Sequence, residues 1–402
     1  MAVCVLAAVC EGFDLQAAGV AAAGIVSEFK ATPAQMGTFF SASTLGLFFG
    51  ALVGGRLSDS MGRRRLLITS IALYGIFSIL TARAWSIESL TVARLLTGLG
   101  LGGAFPTLIA IVNERSPSHR RRANVALVYS GMPFGGALVS LISLLTVSVH
   151  WRAIFIVGGF GPLILAAVMR GALREAPRPH RAASEPSGVL SEGLGPVTMK
   201  AGDFRAIFAE GRALATLFLW GSCFLGLLTV YLLLSWLPTL LVADGFTRMQ
   251  AAGAQIGFNI GGAISALLLG ELLAGRLRNC SVVATLAASP LLLFLISKAP
   301  GNFTLVVLIT FALGGAILAA QGFFYAAAAN LYPTSIRGVG AGATVAAGRL
   351  GSIVGPVLGG LLQAAGRGSS QIFSDILPLV ILGSVMGMAL LWRTDGRRES
   401  AR

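Results

Sequence analysis

The feature that most constrains this chain is a succession of twelve apolar runs, separated for the most part by short polar connections. A helix needs roughly 20 apolar residues to cross the hydrocarbon of a bilayer. The runs fall near 2–27, 34–57, 66–84, 88–112, 122–147, 151–173, 212–242, 250–274, 280–297, 302–328, 338–364 and 371–392. With 55% hydrophobic residues, 11% charged and a mean hydropathy of +0.82, the chain needs lipid as its solvent. The alternating segments of about ten residues that a transmembrane barrel requires are missing. The expected fold is therefore an all-α membrane protein of twelve transmembrane helices.

One long polar stretch interrupts the series, at 174–211, rich in Pro, Ser, Gly and Arg. Such a composition cannot bury a core and reads as a linker. It divides the chain into a six-helix bundle at 1–173 and another at 212–393, followed by a tail at 394–402. The net charge of +14 would point to nucleic acid in a water-soluble protein. Here the basic residues occupy short connections, where they set orientation instead. Twenty-two Lys and Arg fall on the face holding the linker and both termini and six on the other, with Arg94 and Arg349 inside spans. That asymmetry places both termini and the linker in the cytoplasm. The run from Met1 carries Glu11 and Asp14 and reads as a first span rather than a cleaved leader. Cys4, Cys10, Cys223 and Cys280 lack metal-ligand spacing, so neither a metal site nor a disulfide framework is expected.

The two halves echo each other. Asn113 to Arg120 has the length of Asn330 to Arg337, and each contains Pro and Ser before its basic residue. The helices that follow carry Gly131-Met132-Pro133-Phe134-Gly135-Gly136 and Gly355-Pro356-Val357-Leu358-Gly359-Gly360. Repeated halves of this kind build a binding site near the bilayer midplane, at their seam.

A short basic loop follows the second run: Gly55-Arg56-Leu57-Ser58-Asp59-Ser60-Met61-Gly62-Arg63-Arg64-Arg65. It resembles the G-x-L-x-D-x-x-G-R-[RK]-[RK] loop of the major facilitator superfamily. In this reading Gly55 allows close helix approach, Gly62 a tight turn, and Asp59, with Arg63 and Arg64, latches a cytoplasmic gate. The equivalent stretch, Gly270-Glu271-Leu272-Leu273-Ala274, has Ala274 where the acid would stand, so its latch is expected to be weaker.

Ionisable residues inside spans cost about 2.5 to 3.5 kcal/mol each on insertion scales, and each is a functional hypothesis. Glu11 and Asp14 are three apart and share a helix face, so two carboxyls can look into one cavity, as a proton carrier needs. The alternative is a pair of helix-end acids. Arg94 lies one turn before Gly98, on the Gly98/Gly102 face, where it can pair with Glu11 or Asp14; the alternative is an arginine snorkelling at the outer interface. Arg349, among glycines inside the eleventh run, can hold a substrate carboxylate bidentately, or serve a structural partner. Phe13, Tyr129, Trp220, Tyr231, Asn259, Gln321 and Tyr325 are candidates to grip a ring, set against ordinary packing. His119, His150 and His180 all fall in connections without a nucleophile or paired acid beside them, and there is no phosphate-binding loop, so neither an enzyme nor an ATP-driven pump is expected.

Across all twelve runs the chain resembles the aromatic acid:proton symporter family of the major facilitator superfamily. The family's acidic-Gly-x-Asp element is Glu11 to Asp14, with Glu where many members have Asp. The stretches Glu11 to Gly19, Gly50 to Gly55, Ser235-Trp236-Leu237-Pro238 and Val345 to Gly351 are most similar to the 3-(3-hydroxyphenyl)propionate transporters of that family. The resemblance implies a bacterial inner-membrane symporter, functional as a monomer, that takes up a small aromatic acid with protons as its coupling ion and no other cofactor. It implies coupling and gating roles for Glu11, Asp14 and Asp59. The rivals are transport of another aromatic acid of benzoate or hydroxybenzoate type, a proton-driven efflux antiporter, for which Gly355-Pro356 speaks, and a membrane sensor.

Overall fold

The computed structural model describes residues 1–145, 150–172, 205–274, 278–298 and 301–399, without the side chains of Asp59, Leu145, Ala172, 269–274 and 394–399. Twelve helices are long and apolar enough to span a membrane, and no strand is found among the described residues. They are α1 (Ala2–Phe29), α2 (Pro33–Met61), α3 (Arg63–Thr81), α4 (Ile87–Arg115), α5 (Arg121–Leu145), α6 (Trp151–Ala172), α7 (Ala213–Ala243), α8 (Arg248–Ala274), α9 (Arg278–Ser297), α10 (Phe303–Leu331), α11 (Arg337–Ala364) and α12 (Ser369–Glu399). Local chemistry sets their ends. Thr32 and Gln35 form a reciprocal capping box with Pro33 in the first turn of α2, and Ser86 does the same for α4 with Ser89.

One boundary differs from expectation. The basic loop after the second run is helical up to Met61, and Gly62 alone makes the reversal, with φ 86°. Only glycine adopts that backbone without strain, so α2 and α3 meet with a single residue between them. The expected linker at 174–211 falls largely outside the described residues. Its last part folds onto the second half: Ile207 is fully buried there, and Arg212 bonds the Ala206 carbonyl and pairs with Glu210.

Packing repeats with a period of six helices. The pairs α1/α5, α2/α4, α3/α6 and α3/α4 of the first half recur as α7/α11, α8/α10, α9/α12 and α9/α10. The halves meet along α2/α11, α5/α8 and α1/α7. In lipid no hydrophobic force draws helices together, so association depends on close backbone packing. Along α2/α4, a Cβ added to Gly98 would strike the Ser43 carbonyl, one on Gly46 the Leu95 carbonyl and one on Gly50 that of Leu99. A Cβ on Gly54 would come within 2.9 Å of the Gly103 Cα on the same contact.

Gly98→Leu should therefore lower the thermal stability of the detergent-solubilised protein by the upper end of the roughly 1–3 kcal/mol typical of overpacking, because carbonyl backbone cannot yield. Gly171→Leu, with nothing within 4 Å, should leave the melting temperature unchanged in the same assay.

Candidate functional site

The site is assembled from the Gly98 face of α4. Arg94, one turn earlier, enters the α2/α4 contact and reaches α1, where its Nη1 donates to Asp14 Oδ2 at 2.7 Å. Both side chains are fully buried. Nη2 donates to the Asp14 carbonyl at 3.0 Å and to the Ser43 hydroxyl oxygen at 3.3 Å, and the guanidinium lies 5.6 Å from the centre of the Phe155 ring. Of the two acids expected as partners, Arg94 takes Asp14. A snorkelling arginine is excluded by this burial.

Glu11 is 2% exposed, and its Oε1 has no hydrogen-bond partner. Three residues of helix turn it about 60° from Asp14, away from Arg94. Arg349 of α11 is close enough for its charge to act on Glu11, and also on Tyr129 and Tyr325. Its Nη1 donates to the Tyr231 hydroxyl oxygen at 3.1 Å, and no described carboxylate lies within ion-pair distance. Three phenols from α5, α7 and α10 thus surround a partly exposed cation twelve residues into α11. Tyr129 is braced edge-on by Phe105, their ring centres 5.1 Å apart.

The other candidates divide. Gln321, one turn before Tyr325, lies beside Cys223 and Tyr325 and lines a cleft within the second half with Ser222, Thr229 and Ser289. Phe13 is not at the seam. It follows Glu11 by two residues, about 200° around the helix, and packs against Gly158 of α6. Trp220 is also elsewhere: it stacks edge-on with Phe208 at 5.5 Å and neighbours Tyr332. It shares a face with Tyr231 but stands eleven residues, about 16 Å, nearer the end that carries the termini. Asn259 joins a polar clasp between the halves. Its Nδ2 donates to Gln16 Oε1 and Gln16 Nε2 donates back to Asn259 Oδ1, both at 2.8 Å, while Gln255 adds a third bond at 3.0 Å.

Sequence reasoning missed Gln16, Gln255, Ser43 and Tyr74, whose buried hydroxyl lies near Cys10, Glu11 and Asp14. All are uncharged and carry no charge penalty in lipid to mark them. Spacing gave one usable signal: Gln16 is five residues beyond Glu11 in an apolar helix.

Every hydrogen bond described between the halves lies at the midplane or beyond it, away from the termini. Ser41 donates to the Ile353 carbonyl at 2.6 Å and Thr44 to that of Ser352 at 3.3 Å. Pro356, four residues on, has no N–H to offer Ser352, so this carbonyl is free to accept across the seam. At the opposite end the expected gate residues bond within the first half. Arg63 pairs with Glu114 of α4, and Arg64 donates to the Arg170 carbonyl of α6 at 2.5 Å. The side chain of Asp59 lies outside the described residues.

A bundle of two repeated halves, hydrogen-bonded across its seam and holding buried charges there, has the architecture of a secondary transporter. The family model of the Major Facilitator Superfamily matches residues 4–356, and the chain belongs to that superfamily. It is 40% identical to the 3-(3-hydroxy-phenyl)propionate transporter of Escherichia coli (strain K12), over 97% of this chain and 93% of the relative. It is 30% identical to the 4-hydroxybenzoate transporter PcaK of Pseudomonas putida, over 95% of this chain and 90% of that one. Among solved structures, a D-xylose-proton symporter matches with a TM-score of 0.74 at 14% identity, covering 96% of this chain and 95% of its own. The fold is that of a transporter, not of an enzyme.

Breaking the buried pair on one side leaves a bare charge, so Asp14→Asn and Arg94→Gln should each destabilise the protein by about 3 kcal/mol or more. The double variant should recover much of that loss in a thermal double-mutant cycle.

Proposed function

We propose that this protein imports a small aromatic carboxylate together with a proton by alternating access, and that the substrate is 3-(3-hydroxyphenyl)propionate. The observation that carries this reading is Arg349: a deeply placed guanidinium whose only described hydrogen-bond partner is a phenol, facing the seam among Tyr129, Tyr231 and Tyr325. A guanidinium holds a carboxylate through two parallel bonds, and aromatic side chains offer faces and edges to a ring. Arg94 cannot take this role, since Asp14 already occupies it.

The 40% identity to the Escherichia coli relative favours an arylpropionate. The 4-hydroxybenzoate and gallate transporters of Pseudomonas putida, at 30% and 29%, make shorter hydroxylated aromatic acids the next choice. Glu11 and Asp14 serve as the proton-carrying pair, protons being the coupling ion. The excess of Lys and Arg on the face of the termini orients the chain in a bacterial inner membrane with both termini and the linker inside, and the monomer suffices. The described hydrogen bonds from Ser41 and Thr44 across the seam then lie on its outer side.

Uptake of labelled 3-(3-hydroxyphenyl)propionate into proteoliposomes tests the reading. Accumulation should require an inward proton gradient, and Arg349→Ala should lower uptake by about 30-fold or more, the loss expected for one partner of a desolvated charge pair. Accumulation of other aromatic acids alone would keep the transporter and replace the substrate. Exit of preloaded acid in exchange for protons would replace import by efflux.

A further inference from the structure

We propose that a basic recess between the ends of α3 and α6 binds the headgroup of an anionic phospholipid, whose acyl chains lie along the exposed apolar faces of the same two helices. The proposal goes beyond the transport reading and does not depend on which acid is carried.

The recess has a volume of about 410 Å³ and is lined by Met61, Arg64, Arg65, Ile68, Thr69 and Arg170. Arginines make up half of that lining, and no carboxylate is among it. Like charges gathered in one concavity repel each other and focus a positive potential, which an anion relieves. Neighbouring Arg63 is outside the lining and has its own acid in Glu114. Arg64 is tethered through Nη2 to the Arg170 carbonyl, while its Nε is buried without an acceptor. The Arg170 side chain is exposed and has no hydrogen-bond or ion-pair partner among the described residues. The helix adds to the charge: α3 starts here at Gly62, with no side-chain cap and no acidic residue in its first turn. Its positive dipole end therefore faces the same region as the guanidiniums.

The surroundings decide which anion fits. Seven residues beyond Ile68, about 10 Å along α3, a Cβ on Gly75 would come within 3.0 Å of the Gly159 carbonyl oxygen, so the two helices are pressed together below the recess. Both then turn apolar side chains outward. Leu73, Ile76 and Leu80 are exposed on α3, as are Val168, Ile164 and Phe160 on α6. Steps of three or four residues put each set on one helix face, so each forms a continuous apolar stripe running away from the arginines. A soluble anion would engage the guanidiniums and leave both stripes unused. A phospholipid engages both, since its phosphate suits the planar donor fork of arginine and its chains suit the stripes. Basic pockets between spanning helices at the cytoplasmic face are where anionic headgroups are held.

Native mass spectrometry of the delipidated, detergent-solubilised full chain tests this, with phosphatidylglycerol, phosphatidylcholine of the same chains and glycerol 3-phosphate as probes. Phosphatidylglycerol should be retained at a concentration roughly 25-fold lower than phosphatidylcholine, about five-fold for each of Arg64 and Arg170. Arg170→Gln should weaken phosphatidylglycerol about five-fold, and Arg64→Gln should add a similar factor. Arg393→Gln, exposed at the same end of the molecule but outside the recess, should leave retention unchanged. Should Arg64→Gln fail to fold, the exposed Arg170 decides alone. Equal retention of phosphatidylcholine, or an equal loss in Arg393→Gln, overturns the site as one for anionic lipid. Glycerol 3-phosphate held as tightly as phosphatidylglycerol overturns the role of the stripes and makes the recess a site for a soluble anion.

Discussion

Everything in this structure depends on how closely helix backbones can approach one another in a solvent that does not push them together. Lipid is as apolar as leucine, so helices gain little by burying apolar faces and must gain by packing atoms tightly. The chain answers with glycine: Gly46, Gly50 and Gly54 on α2 lie against α4, and Gly261 on α8 and Gly314 on α10 do the same in the second half. These contacts are backbone against backbone and have no rotamers to adjust. The same kind of contact occurs across the seam, where Gly360 lies against the Pro33 carbonyl and Gly19 against that of Leu234.

Close packing also sets where the charges can lie. Arg94 can be buried without exposure only because Gly98 and its neighbours hold α2 near enough for Ser43 to add a bond to those from Asp14. Arg349 also has glycines beside it on α11, where Gly348 and Gly351 press against α7, and α7 presents it with the Tyr231 hydroxyl. Two arginines flanked by glycines thus end in different conditions, one paired with a carboxylate and one with a phenol as its described hydrogen-bond partner.

Much of the fold could be read from the sequence, because hydropathy, loop charge and the length of the runs are local properties. The repeat was legible for the same reason, in Asn113 to Arg120 against Asn330 to Arg337. Arg94, Glu11 and Asp14 stood out since charge in lipid is costly. What could not be read was facing. Phe13 neighbours Glu11 in sequence but points to α6, and Trp220 shares the face of Tyr231 but lies three turns away. The clasp of Gln16, Gln255 and Asn259 was hidden in another way. Neutral amides carry no charge penalty to draw notice, and their partner is 243 residues distant.

The proline in α11 has a consequence for the energetics of closure. A regular helix spends each carbonyl on its own ladder, so recruiting one for another segment sets two donors in competition. Pro356 removes the native donor for the Ser352 carbonyl, and the Thr44 hydroxyl of the other half, which also donates to the Ser41 carbonyl at 2.9 Å, shares its hydrogen with that oxygen at 3.3 Å. The helix loses nothing when the bond forms and recovers nothing when it breaks. Permanently released from intrahelical duty, this acceptor lets the two halves join and separate repeatedly while the ladder of α11 stays as it is.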